Sequence, residues 1–273
     1  MLRFSGAGVS EVGAVRDHNE DAAFVGPYVA LVADGVGGAA AGEVASATVA
    51  YVVAATALAR FGAPLEEVLR TAAAEARQQL RAGVEHEPAR AGMATTLSAV
   101  VCDGQRVLLG HLGDSRAYRF RDERLELVSR DHTYVQQLVD AGKVDPQDVP
   151  RHPWRNVVLR SFHTPPAGEQ AAVGDDDDLD LVELDAQVGD RLLICSDGLT
   201  DLVPEAEIAE GLRVADAHSA AAVLSEAALT AGGTDNVTCV VLDVVDGPLV
   251  VGDGQLLGAM LDLRNVVDPA AVR

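Results

Sequence analysis

The chain reads as an α+β protein, and three observations carry that reading. Two neighbouring alanine-rich stretches, 39–60 and 64–83, have helical composition, the first free of proline and of glycine beyond Gly42. Short β-type runs fill 94–128, separated by D-G, G-D and R-D-E-R turns, as an antiparallel meander requires. Asp34, Asp114, Asp197 and Asp235 each stand at the edge of an apolar strand-like run, with glycine next to or near them.

Taken in order, 2–15 alternates weakly and predicts one or two short strands. Then V-R-D-H-N-E-D crowds Arg16, Glu20 and Asp21 ahead of the apolar 22–25. Such a guanidinium is commonly a salt-bridge partner; if the carboxylates face a metal, it is left free to grip a phosphate. Residues 29–33 read as a buried strand that stops on Asp34, followed by Gly35, Gly37 and Gly38. After the helix over 39–60, Pro64 opens a second that Gly83 closes. Residues 133–141 predict a short helix, opened by Asp131 or His132 and closed by Gly142. The proline-rich 143–190 is expected to be irregular, with a single strand over 156–162. Its run 175–178 lacks calcium-loop spacing and reads as a solvated acidic turn. A buried strand ending on Asp197, helices over 204–212 and 218–231, and a strand opened by Asp235 and Asn236 complete a domain over 1–245. Residues 246–273 have no period and read as a tail, partly ordered at best.

Composition bounds the function. At 273 residues and 48% hydrophobic content the chain can bury a sizeable core. A formal charge of −21 repels nucleic acid and anionic membranes, so neither is an expected partner. No apolar run matches a bilayer span, no leader pattern opens the chain, and Cys102, Cys195 and Cys239 read as buried thiols; a cytoplasmic location is expected.

An ionised carboxylate at the end of a buried strand is costly unless a cation meets it. One D-G is an ordinary turn, but four aspartates in one context suggest convergence around cations. Oxygen ligands without His or Cys select magnesium or manganese, and two ions sharing a carboxylate suit in-line attack of water on phosphorus. The chemistry indicated is phosphate ester hydrolysis.

The ordered set R-D-H-N-E-D, A-D-G-V-G-G-A-A-A-G-E-V-A-S, G-M-A-T-T-L, G-H-L-G-D-S-R-A-Y-R-F, S-R-D-H-T-Y-V-Q-Q-L-V-D-A-G, G-D-R-L-L-I-C-S-D-G-L-T-D-L-V and G-G-T-D-N-V-T resembles the metal-dependent type 2C serine/threonine protein phosphatases in their bacterial form. The resemblance implies a four-layer α-β-β-α sandwich, two packed antiparallel sheets with helices on both outer faces, and a pair of Mn²⁺ or Mg²⁺ ions at one edge. It implies that Asp34 bridges the ions, that Asp197 and Asp235 complete the first, and that the Gly35 carbonyl and Glu20 serve the second. Asp21 and Asn236 would orient ligands or waters, Asp114 with Asp197 would hold a third ion, and Arg16 would clamp phosphate. Residues 143–166 would form a flap, with Asn156 near the third ion. Substrates would be phosphoserine and phosphothreonine on proteins, reversing serine/threonine kinases.

Eukaryotic members carry a His after the bridging D-G, where this chain has Val36; protonation of the leaving group is then expected from water rather than from His18. His18 and His111 are both expected to be satisfied structural residues. The flap strand V-V-L-R-S-F-H-T-P-P and the acidic loop over 167–180 also depart from the bacterial pattern. The rival reading is a catalytically silent phosphatase-like binding or regulatory module, which loss of ligand residues would mark; none is lost.

Overall fold

The computed structural model describes residues 1–36, 41–165, 179–252 and 254–267. In chain order the elements are β1 (Leu2–Glu11), β2 (Asp21–Val25), β3 (Val29–Asp34), α1 (Gly42–Ala59), α2 (Leu65–His86), β4 (Ala94–Thr95), β5 (Leu97–Cys102), β6 (Val107–Leu112), β7 (Arg116–Arg121), β8 (Arg124–Leu127) and α3 (Tyr134–Asp140). There follow β9 (Phe162–His163), β10 (Asp180–Leu184), β11 (Arg191–Cys195), α4 (Asp197–Thr200), α5 (Glu205–Leu212), α6 (Ala217–Thr230), β12 (Val237–Asp246) and β13 (Gln255–Gly258).

One sheet has the order β1-β12-β11-β7-β8, the other β10-β6-β5-β3-β2-β13, and every pairing is antiparallel. Both faces of the central strands are covered, so those strands are apolar throughout rather than alternating. Between the sheets lie Phe4, Val32, Leu109, Ile194 and Val240. Beyond one sheet, Leu31, Leu97 and Val101 pack with Val49 and Val53 of α1 and Leu69 and Leu80 of α2. Beyond the other, Leu193, Cys195 and Val241 pack with Ile208 of α5 and Leu224 of α6. Three apolar seams between four layers make the sandwich that the sequence motifs imply.

Helix α1 is long and apolar enough to cross a bilayer by length and composition, yet most of its residues are buried in its layer, under α2 and against β2 and β3. Small side chains let it sit that close.

Several expectations are corrected. Residues 2–11 form one long strand, β1, paired along its whole length with β12, and 12–15 turn away from it. Gly83 does not end α2; it lies inside the helix because Val267 packs there, and a β-carbon on Gly83 would stand 2.7 Å from that side chain. Thr133, not Asp131 or His132, caps α3, its hydroxyl accepting from the Gln136 N–H at 3.2 Å. The segment 156–162 supplies only a bridge from Val158 to Thr133 and the first residue of β9. The stretch read as irregular also holds β10, an edge strand on β6, and a 3₁₀ turn at Pro146–Arg151. The acidic run 175–178 lies outside the described residues, as do Gly37 and Gly38.

The largest correction is the C-terminal stretch. Residues 255–267 are part of the fold: β13 extends the six-stranded sheet alongside β2, and Met260 and Val267 are buried with α1 and α2. The Val267 N–H donates to the Thr48 hydroxyl at 3.0 Å. Short 3₁₀ turns at Ala259–Leu261 and Leu263–Asn265 explain why no period marked it.

Candidate metal and phosphate site

Strand pairing brings the aspartates to one end of the sandwich. Asp21 of β2 lies directly opposite Asp34, the last residue of β3. In the other sheet Cys195 of β11 is opposite Cys239 of β12. The next step of the ladder, Ser196 N–H to the Thr238 carbonyl at 3.1 Å, carries Asp197 to the residues that open β12, Asp235 and Asn236. Gly198 has to be glycine there, since a β-carbon would fall 2.0 Å from the Asn236 carbonyl. Asp114 follows β6, and its loop is tied to β3 through hydroxyls. Thr96 accepts from the Asp34 N–H at 3.0 Å and bonds Ser115 at 2.8 Å.

The carboxylates repel one another, Asp21 and Asp114 from buried positions and Asp34, Asp197 and Asp235 from partly exposed ones. Burial first, then Asp21, Asp197, Asp114 and Asp235, pushes Asp34 well above the ordinary carboxylate range. Asp197 too is pushed well above that range, by burial first and then by Asp114, Asp201 and Asp235. Burial and Asp131 raise Asp114 to about 7, and burial raises Asp21 to about 6 against the hydrogen bond from Ser196. Glu20 is raised by burial and by Glu43.

The residues fit divalent cations. One oxygen of Asp21 accepts from Ser196 at 2.7 Å, while the other is buried with no partner. Hard oxygens, mutual repulsion and an orphaned acceptor are the chemistry that magnesium or manganese would answer. Among the described residues no three acidic, His or Cys side chains already close round one point. Asp235 instead accepts from Arg16 Nη2 at 2.8 Å and from the Asn236 N–H at 2.8 Å. Two hard ions sharing this ring would draw only part of their shells from protein and the rest from water.

Arg16 is exposed and pairs with Asp235 rather than with Glu20 or Asp21, which the sequence places nearest. Glu20 lies over Gly42, whose missing side chain leaves room for the carboxylate, and its carbonyl accepts from the Gly35 N–H at 3.1 Å. Asn236 turns toward the backbone of residues 12–20 rather than toward the acidic ring. His111 is a satisfied structural residue, its ring nitrogens bonded to Ser98 at 2.9 Å and the Arg130 carbonyl at 3.0 Å. His18 differs: it is exposed, and its carbonyl rather than its ring is engaged.

Sequence reasoning missed Asp201 and Asp131, which border the ring. Asn156 donates to Asp201 at 3.0 Å, holding the flap against α4, and Arg116 grips Asp131 with Nε and Nη2. A cavity of about 90 Å³ lies between flap and ring, lined by Asp114, Asp197, Thr133, Arg155, Asn156 and Asp201 among others. The D-G-L-T-D spacing that puts Asp201 one turn after Asp197 was the available signal.

Residues 16–231 match the family described as protein phosphatase 2C. The chain is 41% identical over 246 residues to the serine/threonine protein phosphatase PstP of Mycobacterium tuberculosis, covering 90% of this chain and 46% of PstP. It thus spans about half the length of that relative. It is 33% identical over 242 residues to the serine/threonine phosphatase stp of Listeria welshimeri, covering 85% of this chain and 92% of that protein. Among solved structures, the catalytic domain of PstP in complex with two manganese ions superposes with a TM-score of 0.79 at 39% identity, covering 90% of this chain and 100% of that one.

Proposed function

This chain belongs to the protein phosphatase 2C family, and from that premise we propose that it hydrolyses phosphoserine and phosphothreonine on proteins with two Mn²⁺ or Mg²⁺ ions. The observation that carries the reading is the convergence of Asp34, Asp114, Asp197 and Asp235 at one end of the sandwich, Asp114 buried, the others partly exposed, and Asp34 and Asp197 raised by the repulsion of their neighbours. The ions, when bound, would neutralise that ring and activate water for attack on phosphorus. Asp34, Asp197, Asp235, Glu20 and the Gly35 carbonyl would hold the pair. Asp114, with Asp197, would take a third. Arg16 would leave Asp235 to grip the non-bridging phosphate oxygens, a bidentate role its fork suits and its exposure permits. Val36 follows Gly35 where an imidazole could have stood, and His111 is spent on Ser98 and the Arg130 carbonyl.

Substrates supplied by serine/threonine kinases and a cytoplasmic location belong to the same proposal; three free buried thiols support a reducing compartment. The test is hydrolysis of p-nitrophenyl phosphate and of a phosphothreonine peptide. Turnover should require added manganese and vanish with chelator. Metal-independent turnover would sink the mechanism, and phosphopeptide binding without turnover would favour the silent binding module.

A further inference from the structure

Nine residues, 12–20, join β1 to β2 without forming helix or strand, and they carry Arg16 and Glu20. A connection that must present a guanidinium within a fraction of an ångström cannot rely on sheet pairing. The Ala14 N–H donates to the Gly233 carbonyl at 2.7 Å and Asn19 to the Ser10 hydroxyl at 2.9 Å, and one buried side chain holds the loop at three further points. Asn236 Oδ1 accepts from the Glu20 N–H at 2.8 Å, and Asn236 Nδ2 donates to the Val12 carbonyl at 2.8 Å and to the His18 carbonyl at 2.9 Å. Both amide protons and the amide oxygen are used, so the amide sits one way round: reversed, it would face a donor with donors and two carbonyls with an acceptor. Its own N–H donates to Asp235, the carboxylate that Arg16 contacts.

We infer that Asn236 is a positioning residue for the Arg16 loop: it fastens the loop at 12, 18 and 20, on both sides of Arg16, and so sets where the guanidinium meets a phosphate. The inference rests on the phosphatase reading for its consequence but on hydrogen bonding for its geometry. It gives the Asn236 side chain a part in phosphate binding through the backbone of residues 12–20, with no side-chain bond to a carboxylate of the ring.

The test is a double-mutant cycle between Asn236→Ala and Arg16→Ala, read as KM for p-nitrophenyl phosphate and as the dissociation constant of inorganic phosphate with manganese present. Asn236→Ala should raise both by about tenfold in the wild-type background and by less than about twofold once Arg16 is gone. Manganese affinity should change by less than about threefold. In metal-free protein, amide exchange over 12–20 should quicken while that of β12 stays protected. Equal losses in both backgrounds, or a manganese affinity that falls in step, would overturn the inference. Asn236→Asp keeps the volume but cannot donate, and should behave alike; failure of both variants to fold would assign Asn236 to the fold and also overturn it. A wild-type protein that binds phosphate but never hydrolyses an ester would instead defeat the phosphatase reading and leave the cycle to be read on phosphate alone.

Discussion

Strand β11 is flanked by an aspartate at each end, and the two are treated in opposite ways. Asp190 precedes it and is 2% exposed, yet Arg121 meets it with two nitrogens at 2.5 and 2.6 Å and the Gln187 N–H donates at 2.8 Å. Burial alone would raise its carboxyl; those partners outweigh burial and hold it below the ordinary range. Next to it Arg191 is matched to Asp243 and to the carbonyls of Leu212, Val214 and Ala215. At the far end Asp197 is half-buried beside Asp34, Asp114 and Asp235, and desolvation and repulsion drive it up. The same fold supplies a counter-cation where a carboxylate only holds structure and withholds one where a soluble cation is to be bound. Arg16 is the single cation in contact with a carboxylate of the ring among the described residues, and it sits on the exposed rim.

The most severe way to break the comparison is to remove the shared carboxylate. Asp34→Asn should cut manganese-dependent turnover on the order of 10³-fold while leaving the metal-free protein as stable as wild type or more so, because one repelling charge is gone. Steady-state kinetics beside urea melts of chelated protein would show both, and full activity would remove Asp34 from the mechanism.

Acidity separates the two ends next. Asp114 and Asp21, at about 7 and about 6, are raised above their unfolded values. Their contribution is therefore complete below about pH 4 and is lost as pH climbs through 6 and 7. Chelated protein should lose roughly 2–4 kcal/mol between pH 5 and pH 8, and manganese should restore it. Asp190 runs the other way: its depressed carboxyl stabilises above the unfolded value and fades only in acid. Manganese affinity should rise with pH, since protons compete for the same oxygens. Calorimetry at the two pH values decides it, and a pH-independent affinity would mean that the ring is already ionised.

Asp190→Asn is the mirror experiment. It should cost about 2 kcal/mol by leaving Arg121 half-served, with kcat within about twofold of wild type. A variant that lost turnover without losing stability would erase the distinction between the two ends.

How much of this was legible follows from what a one-dimensional pattern can hold. Asp34 and Asp197 could be found because a run of buried apolar residues that ends on a charge is conspicuous on its own. The pairing of Arg16 with Asp235, 219 residues away, could not, because local spacing offered Glu20 and Asp21 as nearer partners. Asn236 was placed in the right neighbourhood, but nothing in T-D-N shows that its amide will face the carbonyls of 12 and 18. Strand β10 was hidden since an edge strand with solvent on one side reads as polar loop. Residues 255–267 were hidden because 3₁₀ turns carry no repeat, although Gly83 already held the space for Val267.

The smallest expected effect lies at the paired end and sharpens the contrast from that side. Arg121 and Arg124 close the β7–β8 hairpin round Asp122 and Glu123, which both take the left-handed conformation, φ 48° and 61°. A two-residue turn of this hand prefers Asn-Gly, and an acidic pair adopts it at a cost that only surrounding contacts offset. Glu123 gains an ion pair with Arg213 there, but both groups are well exposed and such a pair contributes only a few tenths of a kcal/mol. Asp122→Asn with Glu123→Gly should therefore raise the urea midpoint by about 0.5–1 kcal/mol of stability and leave manganese-dependent turnover unchanged. A fall in stability would show that the Arg213 pair outweighs the backbone. A change in turnover would show that the two ends of the sheet are coupled, which the separate charge pairing described above does not allow.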